Sequence, residues 1–105
     1  MTPEGKVKKE LISKLSTLSV KPYMFFPATG GYGRNGVPDI VGCLRGRFFS
    51  IEVKAAGKYP TLLQERELDR IELAGGLAFI CVGAEDIPRV LNALEGASAE
   101  VYMED

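Results

Sequence analysis

Pro38-Asp39, twelve intervening residues, and then Glu52-Val53-Lys54 place two carboxylates and an amine within one short stretch of chain. Carboxylate oxygens are hard donors that suit a divalent cation of the Mg²⁺ kind, which keeps coordination positions for water and for a substrate phosphate. An amine beside them meets the negative charge that builds as a phosphodiester is attacked. The chemistry these three side chains imply together is metal-assisted hydrolysis of a phosphodiester.

Their usefulness depends on the elements that carry them. Phe48 to Lys54 alternates like a strand, so Phe49, Ile51 and Val53 share one face while Ser50, Glu52 and Lys54 share the other. Asp39 to Leu44 reads as its hairpin partner, joined through Arg45-Gly46. A two-residue turn there pairs Leu44 with Arg47 and sets Asp39 opposite Glu52, whereas a slip of one residue sends Asp39 to the other face. Like charges directly opposite cost up to ~1 kcal/mol in a bare sheet, a penalty that a cation would remove. The plainer alternative is that Asp39 only opens a strand while Glu52 and Lys54 line a solvated face.

Three further features flank this set. Glu4 falls within the helical stripe of Val7, Leu11, Leu15 and Leu18, so it should face the sheet, although an acid in a first helical turn is favoured on electrostatic grounds alone. Gln64 lies on the inward side of a helix, but Thr61-x-x-Gln64 also spells a capping box in which the Gln side chain returns to the Thr61 amide. Gly31-Tyr32-Gly33-Arg34-Asn35-Gly36 matches G-x-G-x-x-G literally, yet Val37-Pro38-Asp39 and a strand follow it. No helix N-terminus is then available for a pyrophosphate, and dinucleotide binding is excluded. The segment reads as a loop whose Tyr32 and Arg34 meet nucleic-acid backbone or an exposed base.

Along the chain, Thr2-Pro3 marks the N-cap and first residue of a helix running to about Ser19. A short aromatic strand at Tyr23 to Phe26 precedes the glycine-rich loop and the hairpin. A second amphipathic helix spans Thr61 to Ala74 and ends at Gly75-Gly76, a buried strand covers Leu77 to Val82, and a third helix covers about Glu85 to Leu94 with Pro88 in its first turn. The order α-β-β-β-α-β-α, with a helix between the hairpin and the last strand, calls for a parallel crossover and a mixed four-stranded sheet flanked by helices.

The 105 residues, 46% hydrophobic, suit one domain that buries roughly 60 to 70% of its unfolded surface. No repeat, low-complexity segment or interdomain linker is visible. The start of the chain is polar and no apolar run approaches the about 18 residues of a membrane span, so a cytoplasmic protein is expected. Cys43 and Cys81 both sit in apolar runs and read as buried thiols. The chain has no histidine, which removes Cys/His zinc sites and His-based general bases. A net charge of −1 conceals an asymmetry: residues 1–58 carry ten Lys/Arg against four Asp/Glu, a net +6, and residues 59–105 carry three against ten, a net −7. The basic half holds the motif, as a polyanionic substrate would require.

Gly36-Val37-Pro38-Asp39, Ile51-Glu52-Val53-Lys54 and Gln64 together resemble the motifs of the PD-(D/E)XK nuclease superfamily in its VRR-NUC branch, the virus-type replication-repair nucleases. The Thr2-Pro3-Glu4 start and the Gly31 to Arg34 loop are similar to those of small stand-alone members of the phage type, and the likeness spans nearly the whole chain as a single domain, residues 1–105. The resemblance implies a restriction-endonuclease-like α/β core. It implies that Asp39, Glu52 and the Val53 carbonyl bind Mg²⁺ or Mn²⁺, with Glu4 contributing directly or through water. Lys54 would orient the attacking water or steady the phosphorane, helped by Gln64. Stand-alone members resemble Holliday-junction resolvases, so the resemblance also implies branched DNA as substrate, a homodimer, and no small-molecule cofactor. A non-catalytic nucleic-acid-binding module with the same fold is the rival, and would bind without metal and without cutting. A structural or interaction protein would tolerate loss of Glu52 and Lys54.

Overall fold

A computed structural model describes residues 1–28 and 35–102, the last four of these by backbone alone. The N-cap is Thr2, whose hydroxyl accepts from the Gly5 amide at 3.0 Å, and Pro3 opens α1 (Pro3–Leu15). Val7, Leu11 and Leu15 form its buried stripe. The helix stops short of Ser19 because Ser16 and Thr17 turn their hydroxyls onto the carbonyls of Ile12 and Lys14, at 3.0 and 2.7 Å. Such back-bonding offers the chain an alternative to another helical turn.

Four strands form one sheet in the order β1-β2-β3-β4: β1 (Tyr23–Phe25), β2 (Ile40–Leu44), β3 (Arg47–Lys54) and β4 (Leu77–Val82). The first two pairings are antiparallel and the last is parallel, with α2 (Leu62–Leu73) making the crossover. The β2–β3 turn has Arg45 at φ 52° and Gly46 at φ 80°. Two consecutive positive φ values are what a two-residue hairpin turn needs to follow the strand twist, and Gly46 adopts its value without a side-chain penalty. Leu44 consequently pairs with Arg47 and Ile40 with Ile51, the expected register.

A short 3₁₀ turn, Ala84–Asp86, leads into α3 (Ile87–Tyr102). This helix runs well past Leu94, the expected end; Val90, Leu94 and Ser98 continue one fully buried stripe, with serine small enough to extend it. The core lies on one side of the sheet. There Val7, Leu11 and Leu15 of α1 and Ile87, Val90 and Leu94 of α3 close over Ile40, Leu44, Phe49, Ile51, Val53 and Cys81. On the opposite side α2 touches β3 and β4 but makes no comparable contact with β1 or β2.

Two expectations are corrected by this layering. Cys43 is exposed, because it stands on the β2 face that no helix covers, whereas Cys81 is buried as expected. Only Cys81 of β4 is fully buried and the other five residues are half-buried, since β4 is an outer strand. No helix among the described residues is long and apolar enough to cross a membrane.

Candidate metal and phosphodiester site

The antiparallel ladder between β2 and β3 ends at Ile40 and Ile51, so Asp39 and Glu52 occupy the next opposed position. Buried Pro38 leads into Asp39, and the Asp39 Oδ2 accepts a 2.8 Å hydrogen bond from the Val53 amide. The carboxylate thereby stands where another β2 carbonyl would have been. In an extended strand a residue's N–H and C=O point to the same edge, so the Val53 carbonyl is directed to the Asp39 side as well.

Glu52 is 2% exposed, and its Oε2 lies 3.6 Å from the Lys54 Nζ. Its Oε1 is buried without a hydrogen-bond partner. An ionised carboxylate in that setting is costly. Burial, first, and the Asp39 charge, second, push its pKa up to about 8; Lys54 opposes them, and a hydrogen bond with Asp39 and the charge of Glu4 add to the rise. The pair therefore lacks positive charge, with one amine set against two facing acids. Lys54 is itself held in place, since its carbonyl accepts from the Gly83 amide at 2.8 Å.

Glu4, half-buried in the first turn of α1, is near enough for its charge to act on Glu52. Among the described residues no three His, Cys, Asp or Glu side chains converge closely enough to hold a metal together, so Glu4 does not complete a direct carboxylate triad with Asp39 and Glu52. The donors that suit a hard cation are Asp39, the orphaned Glu52 Oε1 and the Val53 carbonyl, with the Glu4 carboxylate near enough to act on Glu52 by its charge. Gln64 makes the full capping box: its Oε1 accepts from the Thr61 amide at 2.8 Å and its own amide donates to the Thr61 hydroxyl at 3.3 Å. Tyr32 and Arg34 lie outside the described residues.

Two supports escaped the sequence reading. Gly36, at φ +83°, packs so tightly on the first turn of α2 that a Cβ would come within 2.6 Å of the Leu63 carbonyl. The approach to Pro38-Asp39 is thus seated on the helix that carries Gln64. Asp86 accepts from the Val82 amide at 3.0 Å, and Arg89 donates to the Ile80 carbonyl at 2.7 Å while pairing with Asp86 at 2.6 Å. Ile80 and Val82 are the β4 partners of Glu52 and Lys54, so the clamp steadies the strand beside the site. Its only signal in the sequence is the i, i+3 spacing of Asp86 and Arg89.

No family model matches the chain. A phage protein named "Putative nuclease p44", from Acyrthosiphon pisum secondary endosymbiont phage 1, is 33% identical over 92 residues, covering 87% of this chain and 94% of its own. A solved structure titled "VRR_NUC domain" superposes with TM-score 0.67 at 25% identity over 88% of this chain and 97% of its own. A second, "VRR_NUC domain protein", gives TM-score 0.73 at 18% identity over 89% and 88%, a likeness of fold. With the mixed sheet, the element order and the Asp39, Glu52 and Lys54 cluster in place, the chain belongs to the VRR-NUC family of nuclease domains.

Proposed function

We propose that this single VRR-NUC domain, residues 1–105, is an Mg²⁺- or Mn²⁺-dependent endonuclease that hydrolyses DNA phosphodiester bonds, with structure-specific action on branched DNA such as Holliday junctions. The observation that carries the reading is the buried Glu52 Oε1 without a partner, facing Asp39 and flanked by Lys54. Asp39, Glu52 and the Val53 carbonyl would hold the cation, which when bound supplies Lewis-acid stabilisation of the phosphoryl oxygens and an acidified water.

The chain's own groups do the rest. Lys54 holds its ammonium at the edge of the carboxylate pair, where its N–H groups would hydrogen-bond and orient the attacking water or steady the negative charge on the phosphorane oxygens. Asp39 is fixed by the Val53 amide through Oδ2, which would leave Oδ1 for the cation. Gln64, through the cap it makes with Thr61, seats the α2 N-terminus against Gly36 and the approach to Asp39, and assists in placing water or Lys54. A homodimer would present two such sites to a symmetric junction. The phage relative supports action in the cytoplasm of an infected cell.

Labelled four-way junction, flap and linear duplex DNA, incubated with Mg²⁺, Mn²⁺ or EDTA beside a Lys54→Ala control, test this. Metal-dependent cleavage lost in Lys54→Ala is expected, with paired symmetric nicks on the junction. Well-folded protein that cuts none of the three substrates would overturn the reading in favour of a binding module.

A further inference from the structure

The face of the sheet that carries Glu52 and Lys54 is an aromatic surface over its outer half. Cross-strand registers set Tyr23, Cys43 and Phe48 in one row and Phe25, Val41 and Ser50 in the next, with Asp39 and Glu52 in the row beyond. A solvated antiparallel face ordinarily alternates to polar residues. Here Tyr23 is 72%, Phe25 56% and Phe48 47% exposed. A cleft of about 440 Å³, lined by Val37, Pro38, Val41, Phe48, Ile71 and Gly76 among others, runs between this face and α2 to the residue before Asp39.

The charges around the patch indicate what covers it. β1 and β2 carry no acid, and the cleft beside them is lined by Arg70 as well as Glu67. Exposed Lys21 lies two residues before Tyr23, and Arg45 lies two residues after Cys43 at the hairpin tip. Aromatic rings with Lys21, Arg45 and Arg70 at their margins suit a strand that offers both phosphates and the flat faces of bases. Phe48 stands four residues from Glu52 along β3, roughly 13 Å at strand rise, which a stacked nucleic-acid strand covers in about four nucleotides. Paired bases in a duplex hide their faces, so only unpaired bases can lie on these rings.

We propose that Tyr23, Phe25 and Phe48, with the adjoining cleft, form a stacking site for unpaired bases of DNA, so that the strand engaged is single-stranded within a few nucleotides of the scissile bond. The proposal rests on the nuclease reading only for the position of that bond. It ranks substrates: single strands, flaps and open branch points above continuous duplex.

The test is made in EDTA, so that binding is read apart from cutting. Fluorescence anisotropy compares an oligothymidine with a blunt duplex of equal length, for wild type, Tyr23→Ala and Phe48→Ala. The oligothymidine is expected to bind at least about tenfold tighter than the duplex, and each variant to lose about fivefold or more of that affinity, the scale of one lost base stack, with duplex binding unchanged. Exposed Cys43, at the centre of the patch, supplies a second readout that needs no variant to fold. Its reaction with a thiol reagent should slow when oligothymidine is added and stay constant as protein concentration rises. Equal affinities for the two DNAs with neutral Phe48→Ala and Tyr23→Ala would overturn the proposal. So would Cys43 protection that follows protein concentration without DNA, which would assign the face to a second copy of the chain. Metal-dependent cleavage that survives either of those results leaves the nuclease reading intact, while stacking without cleavage would sink that reading alone.

Discussion

Glu52 combines a high cost to the fold with the central place in the site. Its pKa of about 8, against an ordinary 4.5, means that between these values the folded chain keeps a proton the unfolded chain has released. Stability from this group is fully present below about 4.5 and is lost as pH rises through about 8. The metal-free melting temperature should therefore fall across that window, a trend that scanning calorimetry at several pH values would reveal. Added Mg²⁺ needs the ionised carboxylate and should release protons on binding, so it should raise Tm more at the alkaline end. A metal-free Tm flat across the window would contradict the burial argument. Glu52→Gln keeps the shape and removes the ionisable group. It is expected to raise the metal-free Tm at alkaline pH by about 4 °C or more, the effect of ~1 kcal/mol in a domain of this size, while abolishing cleavage. Loss of stability in Glu52→Gln would show that the carboxylate is satisfied by something other than a cation.

At the scale of elements, the hairpin and its neighbours decide whether the residues meet. Arg45-Gly46 was legible as a two-residue turn, and with it the Leu44–Arg47 pairing that sets Asp39 opposite Glu52. The capping box at Thr61 and Gln64 was legible for the same reason, because both are local and obey fixed spacings. What local spacing does not encode is how far a helix extends over a sheet. The exposure of Cys43 follows from α2 covering β3 and β4 alone, and the Asp86–Arg89 clamp from the end of β4 meeting α3, both consequences of tertiary placement. That clamp also caps an outer strand edge, occupying the Val82 amide and the Ile80 carbonyl that would otherwise be open to strand addition. Asp86→Ala should leave the half-buried Val82 amide without its acceptor and Arg89 held by the Ile80 carbonyl alone, and cost about 1 kcal/mol, read by urea unfolding. Because β4 pairs with Glu52 and Lys54, it should also lower the cleavage rate without changing DNA affinity. Unchanged stability would show that water replaces the carboxylate at no cost.

At the scale of the whole molecule, the Glu52 face of the sheet is unevenly charged. On that face α2, with Glu65, Glu67, Asp69 and Glu72 against Arg66 and Arg70, lies over β3 and β4, whereas β1 and β2 carry no acid and exposed Lys21 leads into β1. A polyanion is drawn to one half and repelled by the other, which orients it over the outer strands before any contact forms. The two halves are then expected to respond differently to loss of a surface cation. Lys21→Ala, beside β1, should weaken DNA binding across sequences and reduce the slope of log affinity against log salt by about 0.7 to 0.9, the value of one phosphate contact. Arg66→Ala, exposed on the acidic α2, should leave both affinity and slope unchanged. Titrations of an oligothymidine at several salt concentrations in EDTA separate the cases. Equal effects of the two substitutions would mean that DNA also crosses α2, and the approach would then have to be drawn over both halves of the sheet.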